Sequence, residues 1–111
     1  MPFFNRDDVV TITAEEAKAA FDADPGAFII YVREPGEFAS GRIAGAVNVP
    51  LSELEQGALP ARCLAGAGPV YIYCRSGRRS LAAALLLKRA GCARPINFGG
   101  ILDWPYGVTK P

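Results

Sequence analysis

Histidine is missing from this chain of 111 residues. That absence excludes Ser-His-Asp and Cys-His catalysis, histidine-ligated zinc and any histidine-based pH switch. Long apolar runs are missing as well. The longest, Ala27–Val32 and Leu81–Leu87, fall far short of the ~18 residues that a membrane-spanning helix requires. The stretch Met1–Asp8 carries acids early and no extended apolar segment, which is not the pattern of a signal peptide. Cysteine is scarce: Cys63, Cys74 and Cys92 make three. No CxxC pair occurs, which argues against zinc and against a thioredoxin-type redox pair, and an odd count closes no disulfide framework. A reducing, cytoplasmic setting is the simplest expectation. Neither a metal nor a cofactor is indicated.

What is present is ordinary globular composition, 50% hydrophobic and 21% charged, which argues against disorder. The length predicts one domain spanning residues 1–111, with a core from burial of about two-thirds of the unfolded surface. Net charge is only +1, yet its distribution is uneven. Residues 1–56 hold ten acids and four bases, whereas residues 57–111 hold one acid, Asp103, and eight bases. Either the two halves interleave in space and cancel, or the second half builds a basic site. The near-zero net charge and the lack of aromatics interleaved with the basic residues speak against nucleic acid.

The order of elements follows from local pattern. Val9–Thr13 reads as a short strand. Thr13-Ala-Glu-Glu16 reads as a capping box opening a helix with Ala17, Ala20 and Phe21 on one face, stopped at Asp24-Pro-Gly26. Ala27–Val32 is a continuous run of β-formers, as expected of a strand buried on both faces. Gly36–Ser40 suits a helical turn, Val47–Val49 a short strand, and Ser52–Gln56 a short helix. Residues 57–69 read as loop and Val70–Tyr73 as strand. Arg78–Ala90 is predicted to be the longest helix, capped by Gly91. Because Leu81–Leu87 is apolar nearly all round, it is predicted to be deeply packed. Pro95–Asn97 is a last strand before a Gly99-Gly100 turn. Alternating strands and helices give an α/β fold with a mainly parallel sheet.

One constellation carries chemistry. Tyr73-Cys74-Arg75-Ser76-Gly77-Arg78-Arg79-Ser80 spans the passage from a buried strand into a helix. A thiol at the C-terminal end of such a strand lies where α/β proteins build their sites. The positive end of the following helix favours its thiolate form. Gly77 frees the loop so that successive backbone N–H groups can converge on an anion. Arg75, Arg78 and Arg79 add three guanidiniums suited to oxyanions. An isolated cysteine at a strand end is ordinarily a small core hydrophobe. Three arginines at a helix start, however, oppose the helix dipole, so helix propensity does not account for them. The combination favours Cys74 as a nucleophile that needs no histidine.

At these residues the chain resembles the single-domain rhodanese-like sulfurtransferases. Ile30-Tyr-Val-Arg-Glu-Pro-Gly-Glu-Phe38 is similar to their DVREPxEF segment, and Gly41-Arg-Ile-Ala-Gly-Ala-Val-Asn-Val-Pro50 to their GHIPGAxNIP. Cys74-Arg-Ser-Gly-Arg-Arg-Ser80 resembles their active-site loop, and Asn97-Phe-Gly-Gly-Ile-Leu-Asp-Trp104 their GGxxxW close. The likeness runs in order from about Val10 to Tyr106. It implies a five-stranded, mainly parallel sheet flanked by helices on both faces. It further implies that Cys74 takes a sulfane sulfur from thiosulfate or a persulfide donor and yields it to cyanide or a thiol. The loop residues Arg75, Ser76, Gly77, Arg78, Arg79 and Ser80 would bind substrate, with the amides of Arg75 to Arg79 steadying the persulfide and the arginines holding the donor's sulfonate. A sulfur-relay protein is a further partner class on this reading.

Two positions depart from the family. Tyr31 stands where relatives carry an aspartate that helps hold the loop, and Arg42 stands for a histidine, which reads as a surface change. Arg33, Glu34 and Glu37 are expected to serve structure, with Arg33 and Glu37 as a candidate pair. Phe98 and Trp104 fit core better than pocket wall, Cys63 falls in the loop, and Cys92 is expected to pack against the helix cap. Two rival functions remain open. A low-activity persulfide carrier or interaction module would use the same fold. A cysteine phosphatase or arsenate reductase would need an arginine six residues after the cysteine, where this chain has Ser80, and a general acid that the second half hardly offers.

Overall fold

Alternation along two strands organises the molecule. In β2 (Phe28–Tyr31) and β4 (Val70–Cys74) successive side chains point to opposite faces. Ile30, Val70, Ile72 and Cys74 join Val32 in one apolar cluster, with Ala83, Ala84 and Leu87 from the helix Arg78–Arg89 and Leu54 from the helix Leu51–Glu55. Ile29, Tyr31, Tyr71 and Tyr73 enter a second cluster with Phe98 and with Ala17 from the helix Ala14–Ala23. The sheet is therefore covered on both faces, as the continuous apolar runs predict. The structure is a computed structural model and describes residues 9–33, 41–57, 68–92 and 94–109. The turn expected at Gly36–Ser40, the residues Glu34, Glu37 and Cys63, and most of the 57–69 loop lie outside these.

The elements run β1 (Val10–Thr11), α1 (Ala14–Ala23), β2, β3 (Ala46–Asn48), α2 (Leu51–Glu55), β4, α3 (Arg78–Arg89), β5 (Pro95–Gly100) and a 3-10 turn at Ile101–Asp103. Five strands form one sheet in the order β1-β5-β4-β2-β3. All four pairings are parallel. β4 and β2 lie inside the sheet, so the strand that ends in Cys74 is buried throughout.

The capping box is present. Glu16 N–H donates to the Thr13 hydroxyl at 3.0 Å, and Thr13 N–H donates to the Glu16 carboxylate at 2.9 Å. Thr13 is exposed, so Thr13→Ala tests the cap without opening the core. Urea unfolding should show a loss of about 1 kcal/mol, and an unchanged midpoint would remove the cap from the account. At the end of α3, Gly91 takes a φ of 112°. Gly91 N–H donates to the Lys88 carbonyl and Cys92 N–H to the Leu87 carbonyl, a Schellman closure that turns Cys92 into the core.

Two expectations are corrected. Helix α3 is not packed all round: Ala83, Ala84 and Leu87 are buried, but Leu81 is 44% exposed and Leu85 and Leu86 are half-buried. A helix lying on one face of a sheet has only that side to bury. The last strand also runs past Asn97 to Gly100. Gly99 and Gly100 lie within it, because its pairing with β4 is irregular there. Ile72 pairs with Asn97 but Cys74 with Gly100, so β5 advances three residues while β4 advances two. Gly99 absorbs this bulge at a φ of 95°.

Candidate active site

The bulge lies beside Cys74, the last residue of β4. Gly77 then takes a φ of 99° and serves as the N-cap of α3. That reversal directs the Gly77 N–H back onto the Cys74 sulfur, which accepts it at 3.0 Å. The sulfur thus sits at the start of a twelve-residue helix, at the end where negative charge is stabilised. The first turn of α3 carries no acid and two arginines, Arg78 and Arg79. This arrangement opposes the helix's own dipole and suits an external anion.

The loop is braced from β5 and the turn that follows it. The Ser80 hydroxyl is fully buried and lies 2.7 Å from the Asn97 side-chain oxygen, which also accepts the Gly99 N–H at 3.1 Å. Leu102 N–H donates to the Arg75 carbonyl at 3.2 Å. Gly100 packs directly beneath that carbonyl: a Cβ there would stand 2.3 Å from the Arg75 oxygen.

A cavity of about 670 Å³ opens over the sulfur, lined by Arg33, Cys74, Arg75, Ser76, Arg78, Arg79 and Leu102. Cys74 is only 1% exposed, while Arg75, Ser76, Arg78 and Arg79 are exposed. The thiol therefore lies deep and those three guanidiniums stand toward solvent. Among the described residues, no acidic side chain lines the cavity. Five of the loop residues singled out from sequence are thus at the cavity: Cys74, Arg75, Ser76, Arg78 and Arg79. Gly77 contributes its backbone N–H, and Ser80 turns inward as a brace. Chemically, the arrangement offers a soft nucleophile under a field that attracts oxyanions.

Residues 13–105 match the Rhodanese-like domain family. The chain belongs to the rhodanese-like family. It is 42% identical over 95 residues to the uncharacterized protein YqhL of Bacillus subtilis, covering 85% of this chain and 71% of that one. The putative sulfur carrier protein YrkF of the same organism is 37% identical over 101 residues, 90% of this chain and 53% of YrkF, so the chain spans about half of that relative. The thiosulfate sulfurtransferase PspE of Escherichia coli is 33% identical over 79 residues, 67% of this chain and 70% of PspE. A crystal structure of a rhodanese-like domain protein from Staphylococcus aureus shares the fold, with a TM-score of 0.78 at 24% identity over 93% of this chain and 99% of that one.

This rhodanese-like chain brings to its cavity two residues that sequence reasoning did not place there. Arg33, expected from sequence to serve structure, is 8% exposed and lines the wall beside Cys74. Its sequence signal is only half the answer: it follows the C-terminal end of β2, but that β2 neighbours β4 is set by the sheet. Leu102, 65% exposed at the rim, carried no such signal. Phe98 is core, as expected, while Trp104 is half-buried and packs against the same cluster, both in edge or tilted contact with Phe21. Arg42 is half-buried, and its backbone forms a two-bond antiparallel bridge with Thr109.

Tyr31 lies on the opposite face of β2 from Val32, stacked on Tyr73 at 4.3 Å with 14° between the planes. The Tyr73 oxygen accepts the Ile43 N–H at 2.9 Å. Burial pushes the Tyr73 phenol well above its usual pKa, and the Ile43 bond offsets this only in part, so the ring stays neutral. Among the described residues, no helix is long and apolar enough to cross a membrane.

Proposed function

We propose that this rhodanese-like protein is a sulfurtransferase that moves a sulfane sulfur from thiosulfate, or from a persulfide donor, to cyanide or a thiol through a persulfide on Cys74. The observation that carries this reading is a deep thiol, bonded by a helix-start N–H, beneath a cavity whose described lining holds four arginines and no acid. The Cys74 thiolate attacks the outer sulfur of thiosulfate. The sulfur–sulfur bond breaks, and sulfite leaves with its electron pair. Cys74 then carries a terminal S⁻, which the Gly77 amide and the start of α3 are placed to stabilise. Attack by cyanide on that outer sulfur releases thiocyanate and restores the thiolate. Phosphoryl transfer fits less well, because none of the described lining residues is a general acid for a leaving group.

The test is the intact mass after incubation with thiosulfate. A gain of one sulfur, removed by cyanide, is the expected result. No adduct from thiosulfate, with sulfur accepted readily from a protein persulfide, would favour the carrier reading that the likeness to YrkF suggests.

Arg75, Arg78 and Arg79 are assigned to donor binding. Each alanine variant should raise KM for thiosulfate about three- to tenfold and lower kcat less. These side chains are exposed, so added salt should raise the wild-type KM in the same direction. An unchanged KM in all three variants would remove them from the donor site.

A further inference from the structure

We infer that Tyr31 is a positioning residue that fixes Arg33 at the cavity wall. This rests on the reading of the cavity as an anion site above Cys74. Val32 N–H donates to the Tyr73 carbonyl at 2.8 Å, so pairing with β4 continues beyond the last residue of β2. Residues 31 and 33 of an extended segment project to the same side. The Arg33 guanidinium carbon accordingly lies 5.9 Å from the centre of the Tyr31 ring, within reach of a cation–π contact.

The ring is itself held. Tyr31 is 2% exposed and stacks on Tyr73, whose oxygen is tied to the Ile43 backbone. A fixed column therefore runs from the Ile43 amide through two rings to the guanidinium. Arginine has many rotamers to lose on ordering, and a rigid aromatic face is one way to reduce that loss at the moment of binding. The ring also contributes no negative charge of its own, whereas an aspartate at this position would set a carboxylate beside Arg33. Arg33 is the buried arginine of the cavity, so solvent and salt screen it less than Arg75, Arg78 or Arg79. Its placement governs how firmly the wall grips an oxyanion.

The test compares Tyr31→Leu, Tyr31→Phe, Arg33→Gln and the double variant Tyr31→Leu/Arg33→Gln. Two readouts are used: steady-state kinetics with thiosulfate, and protection of Cys74 from iodoacetamide by sulfate, an unreactive oxyanion. Tyr31→Leu should raise KM about five- to tenfold with kcat within about twofold, and should need correspondingly more sulfate for protection. Tyr31→Phe, which retains the ring face, should restore both. The double variant should match Arg33→Gln alone, because the ring acts through the arginine. Circular dichroism checks folding, and Tyr31→Met replaces the leucine variant if that chain does not fold. Wild-type KM and sulfate protection in Tyr31→Leu, or additive effects in the double variant, would overturn the inference. If the wild type forms no persulfide from thiosulfate, the sulfur-transfer reading fails separately, and sulfate protection still decides the role of Tyr31.

Discussion

Cys74→Ser should abolish the persulfide and lower sulfur transfer on the order of a thousandfold or more. The substitution changes one atom at the end of β4. That atom accepts the Gly77 N–H and lies beneath the arginine-lined cavity. A serine hydroxyl is smaller, harder and almost wholly protonated near neutrality, and among the described lining residues none is placed to act as its base. The folded chain should be nearly unchanged, since Ser and Cys differ little in volume, although Cys74 is part of a buried cluster. Two measurements decide the matter: intact mass after thiosulfate and thiocyanate release with cyanide. An undiminished rate in a folded Cys74→Ser protein would move the chemistry away from Cys74 altogether. Residual sulfur on the variant would direct attention to Cys92, which is buried in the same cluster, or to Cys63.

Gly100→Ala should lower kcat/KM about a hundredfold while leaving Cys74 in place chemically. Gly100 has a φ of −126°, so an alanine meets no torsional penalty there. The obstacle is contact. The new Cβ would lie 2.3 Å from the Arg75 carbonyl oxygen, 2.7 Å from the Ser76 carbonyl carbon and 2.8 Å from that of Arg75. All three are backbone atoms of the loop, so no side-chain rotation relieves the clash. Either β5 retreats from β4 or the loop lifts, and each change shifts the amide on the Cys74 sulfur. Overpacking of this kind also costs about 1–3 kcal/mol of stability, readable by urea unfolding. Gly99→Ala supplies the contrast, since its φ of 95° brings strain while its Cβ position is open. Stability should fall there with a smaller loss of activity. A Gly100→Ala protein with wild-type kcat/KM would show that the loop's position does not depend on this contact.

Much of the molecule is legible in its sequence because many of its decisions are local. The capping box is read from Thr13 and Glu16, three residues apart, and the helix stop from Gly91. The run Ala27–Val32 announces a strand buried on both faces, and Val70–Tyr73 announces another strand. The passage from strand through Cys74-Arg-Ser-Gly to helix marks the candidate thiol, the loop whose Gly77 amide meets its sulfur, and three of the arginines at the cavity. In each case the interacting groups lie within a few residues, so hydrogen-bonding chemistry and side-chain period suffice.

Tertiary structure alone decided what depends on strand order. Once β4 lies between β2 and β5, Arg33 comes to the wall beside Cys74, 41 positions later in the chain. Ser80 meets Asn97, Gly100 meets the carbonyl of Arg75, and Tyr31 stacks on Tyr73. Composition cannot distinguish a Gly-Gly turn from a bulged strand end; only the register of β5 against β4 does so. The exposure of Leu81 likewise follows from α3 having one sheet face to cover. The physical reason is common to all of these. Local sequence sets which residues can form a helix, a strand or a cap, whereas burial of the whole sheet sets which distant residues then share a few ångströms.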